Sequence, residues 1–105
     1  MSGESQVAKT IFAQLGGGQF RLLTGSKCMA DGDNTLIVSL PYDTSAKDNI
    51  RKILITLNSR DLYDMKFMTG LVNQSEPSIV AQYSDVYADM LVELFEKTTG
   101  LFVHF

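Results

Sequence analysis

Residues 51–68 read RKILITLNSRDLYDMKFM. Apolar and polar side chains alternate on both sides of the central NSRD, a pattern that is typical of two strands joined by a short turn. The four-residue link Asn58–Asp61 is short enough for a hairpin. We therefore predict neighbouring antiparallel strands at 51–57 and 62–68.

Three further runs are rich in β-branched or aromatic residues and are bounded by turn residues, which predicts strands at 19–24, 35–40 and 78–83. The connections between strands are too short for a crossover helix. Since parallel neighbours would need such a helix, we expect a mainly antiparallel sheet whose strands follow one another as a meander.

The two ends of the chain show helical spacing instead. One helix is predicted over 6–15, where apolar residues form a single stripe before the glycines Gly16–Gly18. A second is predicted over 85–98, with Ser84 as N-cap and Gly100 at its end. The predicted class is α+β: a five-stranded, mainly antiparallel meander flanked by N- and C-terminal helices that pack on one face. We expect residues 1–105 to form one domain, with residues 1–4 disordered.

Composition and charge argue against several classes of function. The net charge of −3 is too mild for an acidic mimic of nucleic acid and has the wrong sign for a phosphate binder. No apolar run approaches the roughly 18 residues that cross a bilayer, and residues 1–9 lack the basic and apolar regions of a signal peptide. We expect a cytoplasmic protein without a membrane partner, in the host cytoplasm if a phage encodes it.

Residues suited to catalysis are scarce. Cys28 and His104 are the only residues of their kinds, so the usual zinc sets cannot form within one chain. Gly16–Gly18 follows a helix, whereas a dinucleotide fingerprint opens one. Asp61 and Asp64 could chelate magnesium, but a strand carrying Lys66 nearby explains Asp64 more simply. We expect no catalytic residue, metal or cofactor, and a protein that is not an enzyme; a small enzyme is the least favoured alternative.

The second face of the predicted sheet is about half apolar, whereas a solvated face should be mostly polar. Such a patch commonly marks an interaction site. We predict that it binds another protein chain, in a homodimer or with a heterologous partner; the apolar tail Leu101–Phe105 could also cover part of it. The apolar residues assigned to it are Leu23, Ile37, Leu54, Leu62, Met68 and Val80.

A basic cluster at the ends of the third predicted strand suggests an alternative function. Single-strand nucleic-acid binders combine such charge with exposed aromatic side chains. A charged sheet edge that resists aggregation is the commoner explanation. The residues of this alternative site are Lys47, Arg51, Lys52, Arg60 and Tyr42.

Six stretches spread over nearly the whole chain are shared with one family: 8–17 (AKTIFAQLGG), 24–27 (TGSK), 55–57 (ITL), 61–64 (DLYD), 86–89 (VYAD) and 99–101 (TGL). Through them the chain resembles short uncharacterised proteins carried by bacterial phages and prophages. The resemblance implies a phage or mobile-element origin and implies no activity. We therefore expect a non-enzymatic binding protein that acts stoichiometrically on a host or phage macromolecule, with inhibition of host defence as its most natural role.

Overall fold

The computed structural model describes residues 6–41, 46–69 and 78–101 of the chain. Its five strands form one antiparallel sheet in the order β1-β2-β3-β4-β5, which confirms the α+β meander. Short 3₁₀ turns at Lys47–Asn49 and Ala88–Met90 precede β3 and α3. The elements are, in chain order, α1 (Gln6–Leu15), α2 (Gly17–Thr24), β1 (Lys27–Asp31), β2 (Thr35–Ser39), β3 (Ile50–Leu57), β4 (Tyr63–Thr69), β5 (Ile79–Val86) and α3 (Leu91–Thr99).

All three helices share one core with one face of the sheet. The rings of Phe20 in α2 and Phe95 in α3 meet edge to face, with centroids 5.0 Å apart. Burying each side chain of this size contributes roughly 1.5–3 kcal/mol. The core therefore fixes the helices to one side of the sheet. Its largest fully buried side chains include Ile11, Leu15, Phe20, Leu91 and Phe95 from the helices and Ile53, Ile55, Met65 and Phe67 from the strands.

The predicted first strand, 19–24, is wrong, because these residues belong to helix α2. Gly16 has φ 123° and Gly17 has φ 62°, so the chain turns there and then becomes helical again. Phe20 and Thr24, four residues apart, are buried on one side of the new helix. The first strand is instead β1, Lys27–Asp31.

The predicted start of the last helix is also wrong. Strand β5 continues to Val86, and α3 begins only at Leu91. Asp85, which was expected near the helix start, has φ 55° and lies in a bulge of β5 opposite Asp64. The C-terminal end is as predicted: Gly100 has φ 77°, and its N–H donates to the carbonyl oxygen of Glu96 at 2.9 Å.

Two glycines allow a matched test of this helix end. Replacing Gly100 by Ala should lower the free energy of unfolding by about 1 kcal/mol or more, because φ is positive and a Cβ would lie 3.2 Å from the side chain of Lys47. Replacing Gly18 by Ala should be neutral or stabilising by up to about 1 kcal/mol, since Gly18 is helical and its Cβ would meet nothing within 4 Å. Urea unfolding measures both changes, and equal shifts would contradict the assigned conformations.

Candidate interaction surface

The face of the sheet opposite the helices, which we call the open face, is organised in three rows that run across the strands. The strand register aligns residues Met29, Ile37, Leu54, Lys66 and Gln82 in the middle row. Because side chains alternate along a strand, residues two positions away on each strand lie on the same face. The flanking rows are Lys27, Ser39, Lys52 and Met68 on one side, and Asp31, Thr35, Thr56 and Asp64 on the other.

The middle row is apolar over its first three strands. Met29 is 62% exposed, and Ile37 and Leu54 are half-buried. The helix residues of the core cluster pack on the other face, and none of these three side chains belongs to that cluster or to the apolar residues packed against it. Among the described residues, no helix therefore covers this row.

The structure brings most of the predicted contact residues together. Ile37, Leu54 and Met68 lie on the open face, and Val80 lies at a bulge of the edge strand β5 opposite Met68. Leu62 lies in the β3–β4 turn, one residue before β4.

The prediction that Leu23 lies on this face is wrong, because Leu23 belongs to helix α2 and is 55% exposed there. Sequence reasoning missed Met29, which takes its place in the sheet. The pattern KCMAD (27–31) contains one strong β-former at most, and only its pairing with β2 reveals the strand.

On the open face, basic side chains lie at one end of the strands and acidic side chains lie at the other end. The row at one end contains Lys27 and Lys52, and the row at the other contains Asp31 and Asp64. Four residues of strand separate Lys27 from Asp31, a distance of about 13 Å. The apolar part of the middle row lies between a basic end and an acidic end.

Asn58 organises the acidic end. Its Nδ2 donates to Oδ1 of Asp64 at 3.0 Å and to Oδ1 of Asp85 at 2.9 Å. Its Oδ1 accepts the backbone N–H groups of Arg60 and Leu62 at 2.8 and 3.2 Å. One side chain thus holds the β3–β4 turn, strand β4 and the bulge of β5 together. Arg60 completes the arrangement with a 2.8 Å ion pair to Asp85.

This arrangement predicts a large effect for an isosteric change. Asn58→Asp keeps the shape but replaces the donating amide by an acceptor between two carboxylates. We expect a loss of about 2 kcal/mol or more in the free energy of unfolding at pH 7. Asn34→Asp is the control, since Asn34 is exposed at the same end and its Nδ2 donates only one bond, at 3.3 Å to the carbonyl of Leu57, while its Oδ1 accepts from the hydroxyl of Thr35 as a carboxylate also could. Urea unfolding should separate the two variants, and similar losses would contradict the role of Asn58.

The residues of the alternative nucleic-acid site do not form one patch. Lys47 lies beside Gly100 at the end of α3, on the helix side, whereas Lys52 is on the open face. Arg51 is next to Lys52, and its Nη1 donates to the carbonyl of Ile50. Arg60 lies in the β3–β4 turn, beyond the opposite end of β3, in the ion pair with Asp85.

Tyr42, the aromatic residue of that alternative, lies outside the described residues. The same is true of residues 1–4, of residues 102–105 of the predicted tail, and of His104. Leu101, the first residue of the tail, packs against the core on the helix side.

Two of the concave regions formed by the described residues differ in size. A depression of about 180 Å³ on the open face, bordered by Leu54 and Gln82, is smaller than the usual ligand pockets of about 300 Å³ and above. A larger groove of about 890 Å³ runs along α2 and has Arg21 and Lys27 as its charged lining residues.

The thiol of Cys28 is not activated as a nucleophile. Burial raises the pKa of the Cys28 thiol above its ordinary value of 9.0, although the hydrogen bond with Ser26 and the charge of Arg21 lower it. The Oγ of Ser26 lies 3.9 Å from Sγ, and a hydroxyl group is not a general base at neutral pH. Since the thiolate is the reactive form, Cys28 should behave as a small packing residue.

The raised pKa gives a pH-dependent expectation for Cys28→Ser. Above pH 9.0, the ordinary pKa of the group, the unfolded thiol loses its proton while the folded thiol keeps it, so ionisation favours the unfolded chain. The wild type should therefore lose stability relative to Cys28→Ser as the pH rises past 9. Urea unfolding of both proteins from pH 7 to pH 10 measures the difference between their free energies of unfolding. The other titrating groups are the same in both proteins and cancel in this difference. Parallel curves would show that the thiol is not shielded.

In residues 6–41, 46–69 and 78–101, no three His, Cys, Asp or Glu side chains come together as a metal ion requires. No helix in this part of the chain has the length and apolarity needed to cross a membrane. Comparison with protein-family models, with curated proteins and with solved structures finds no match. The functional proposal therefore rests on the residues of this chain.

Proposed function

We propose that the chain is a non-enzymatic binding protein that acts stoichiometrically on another protein, with the open face as its contact surface. The observation that supports this is the apolar part of the middle row, Met29, Ile37 and Leu54, which crosses three strands without a covering helix among the described residues. An antiparallel sheet with one solvated face normally alternates cleanly between apolar and polar residues. This face departs from that pattern in the row that a partner would bury most deeply.

The resemblance to phage and prophage proteins supports the biological part of the proposal. A small protein of that origin which binds its target one-to-one fits inhibition of a host or phage macromolecule, and we propose a role against host defence. Such a protein needs a stable scaffold and one contact surface. The chain offers both, a continuous helix-covered core and a sheet face beside it.

Binding of nucleic acid is the second candidate function. It is favoured by one observation, the joining of Lys27 and Lys52 in one row at the basic end of the open face, with Arg51 beside them. Lys47 and Arg60, which belong to the basic cluster predicted from the sequence, are separated from this row. The case for nucleic-acid binding is therefore weaker than the sequence suggested. Salt-dependent retention on single-stranded DNA that is lost in Lys52→Ala would support this candidate.

The protein-binding proposal is tested by Ile37→Asp and Leu54→Lys. Each puts a charge into the apolar row, which should abolish a contact that buries it, since an unpaired buried charge costs several kcal/mol. Both positions are half-buried on the open face, so the variants should remain folded. Leu22→Asp is the matched control, because Leu22 is 84% exposed on α2.

Two measurements decide the outcome: sedimentation for the oligomeric state, and capture of partners from bacterial lysate with each variant as bait. We expect Ile37→Asp and Leu54→Lys to lose an association that the wild type and Leu22→Asp both retain. If both variants are folded and associate as the wild type does, the open face is not the contact surface. If both unfold, the face is internal core and the proposal is equally wrong.

A further inference from the structure

We infer that the open face binds a second copy of this chain, in a two-fold symmetric dimer whose axis runs along the middle row. This inference rests on the proposed function, since it names the partner of the same contact surface. It is argued from the placement of charge in the three rows and from the size of the face.

A rotation of 180° about the middle row turns the face over and exchanges its basic and acidic ends. Lys27 of one copy then lies over Asp31 of the other, and the same pair recurs on the far side of the axis. Met29, Ile37 and Leu54 each lie over their own counterparts, so the apolar residues bury one another. Under this rotation the Lys27–Asp31 pair on β1 is complementary in charge and the middle row is complementary in apolar surface, whereas on β3 and β4 Lys52 lies over Thr56 and Met68 lies over Asp64.

Lys66 is the one cation in the middle row and would lie near its counterpart. The two Lys66 side chains have the two Asp64 carboxylates on either side, each about 7 Å away along a strand. The cluster of four charges is neutral overall. Long lysine side chains can reach toward either carboxylate while their methylene groups cover apolar surface.

The other two-fold arrangement of the same faces is less favourable. With the axis along β3, Lys52 would lie over its own counterpart in the basic row, and Met29 would lie over Gln82. Like charges would meet, and two of the three apolar residues would face polar ones. The axis along the middle row is favoured because it pairs Lys27 with Asp31, keeps the Asp64 carboxylates beside Lys66 and lets all three apolar residues meet their counterparts.

The size of the face indicates a reversible dimer. Five strands spaced about 4.8 Å apart and about 17 Å long give a flat footprint on the order of 400 Å² per copy. Stable interfaces bury about 800 Å² of accessible surface per partner. The open face therefore lies at the small end of stable interfaces, and we expect a dimer that dissociates reversibly.

A charge-reversal experiment tests the pairing of Lys27 with Asp31. Lys27→Glu places two acidic residues opposite each other, and Asp31→Lys places two basic ones opposite each other. Each variant alone should therefore raise the dimer dissociation constant by at least about tenfold. Mixed together, the two variants should form a heterodimer, because each reversed residue then meets its opposite charge. The double variant, Lys27→Glu with Asp31→Lys, should recover dimerisation.

Lys97→Glu is the control, since Lys97 is an exposed residue of α3 and the substitution makes the same charge change away from the open face. It should leave the dimer dissociation constant within about twofold of the wild-type value. Sedimentation equilibrium measures each protein and the mixture, and far-ultraviolet circular dichroism checks the fold. Both reversed positions are exposed on β1, so the fold should be retained.

The possible failures are distinguishable. If the wild type dimerises and neither single reversal weakens it, or if mixing does not restore association, the copies meet differently and the inference is wrong. If the wild type is monomeric at high micromolar concentration while Ile37→Asp loses a captured protein of another sequence, the inference is wrong but the proposed function stands. Retention on single-stranded DNA by a monomeric wild type would overturn both.

Discussion

The core binds all three helices to one face of a five-stranded sheet, and the rest of the surface follows from this constraint. Ile53, Ile55 and Phe67 point to the helix side and are fully buried. The residues between them on the same strands must then point away from the core, whatever their polarity. Because the helices cover only one face of the sheet, strand geometry leaves the other face open. The side chains on the open face do not have to pack in the core.

The ends of the open face are held in place by polar contacts instead. At the acidic end, the side chain of Asn58 joins the β3–β4 turn to Asp64 and Asp85 and thereby fixes the bulge in β5. This contact determines where the edge strand ends and keeps two carboxylates near each other without direct opposition. The charge division of the face thus depends on a hydrogen-bond network as well as on strand register.

Sequence periodicity predicted the central strands and α1 well, because strong alternation and a single apolar stripe each suit only one structure. It failed at 19–24, where QFRLLT fits a strand by alternation and a short helix by the spacing of Phe20 and Thr24. It also failed at Asp85, whose conformation depends on Asn58, 27 residues earlier. Alternation correctly predicted Ile37, Leu54 and Met68 on the open face, but it misplaced Leu23, which lies on α2, and missed Met29. The charge rows required the register between strands, which no local pattern supplies.

A mixed face of this kind balances two opposing requirements on a small protein. A fully apolar sheet face would favour indiscriminate aggregation, whereas a fully charged one would give a partner too little surface to bury. Lys27 and Asp31 border the apolar row on edge strand β1, where charged side chains also discourage strand-to-strand pairing. In the proposed dimer the same two residues would favour one orientation of the partner copy, since reversing that orientation would set like charges together. The proposal therefore predicts a contact in which charge supplies specificity and the apolar row supplies the buried surface.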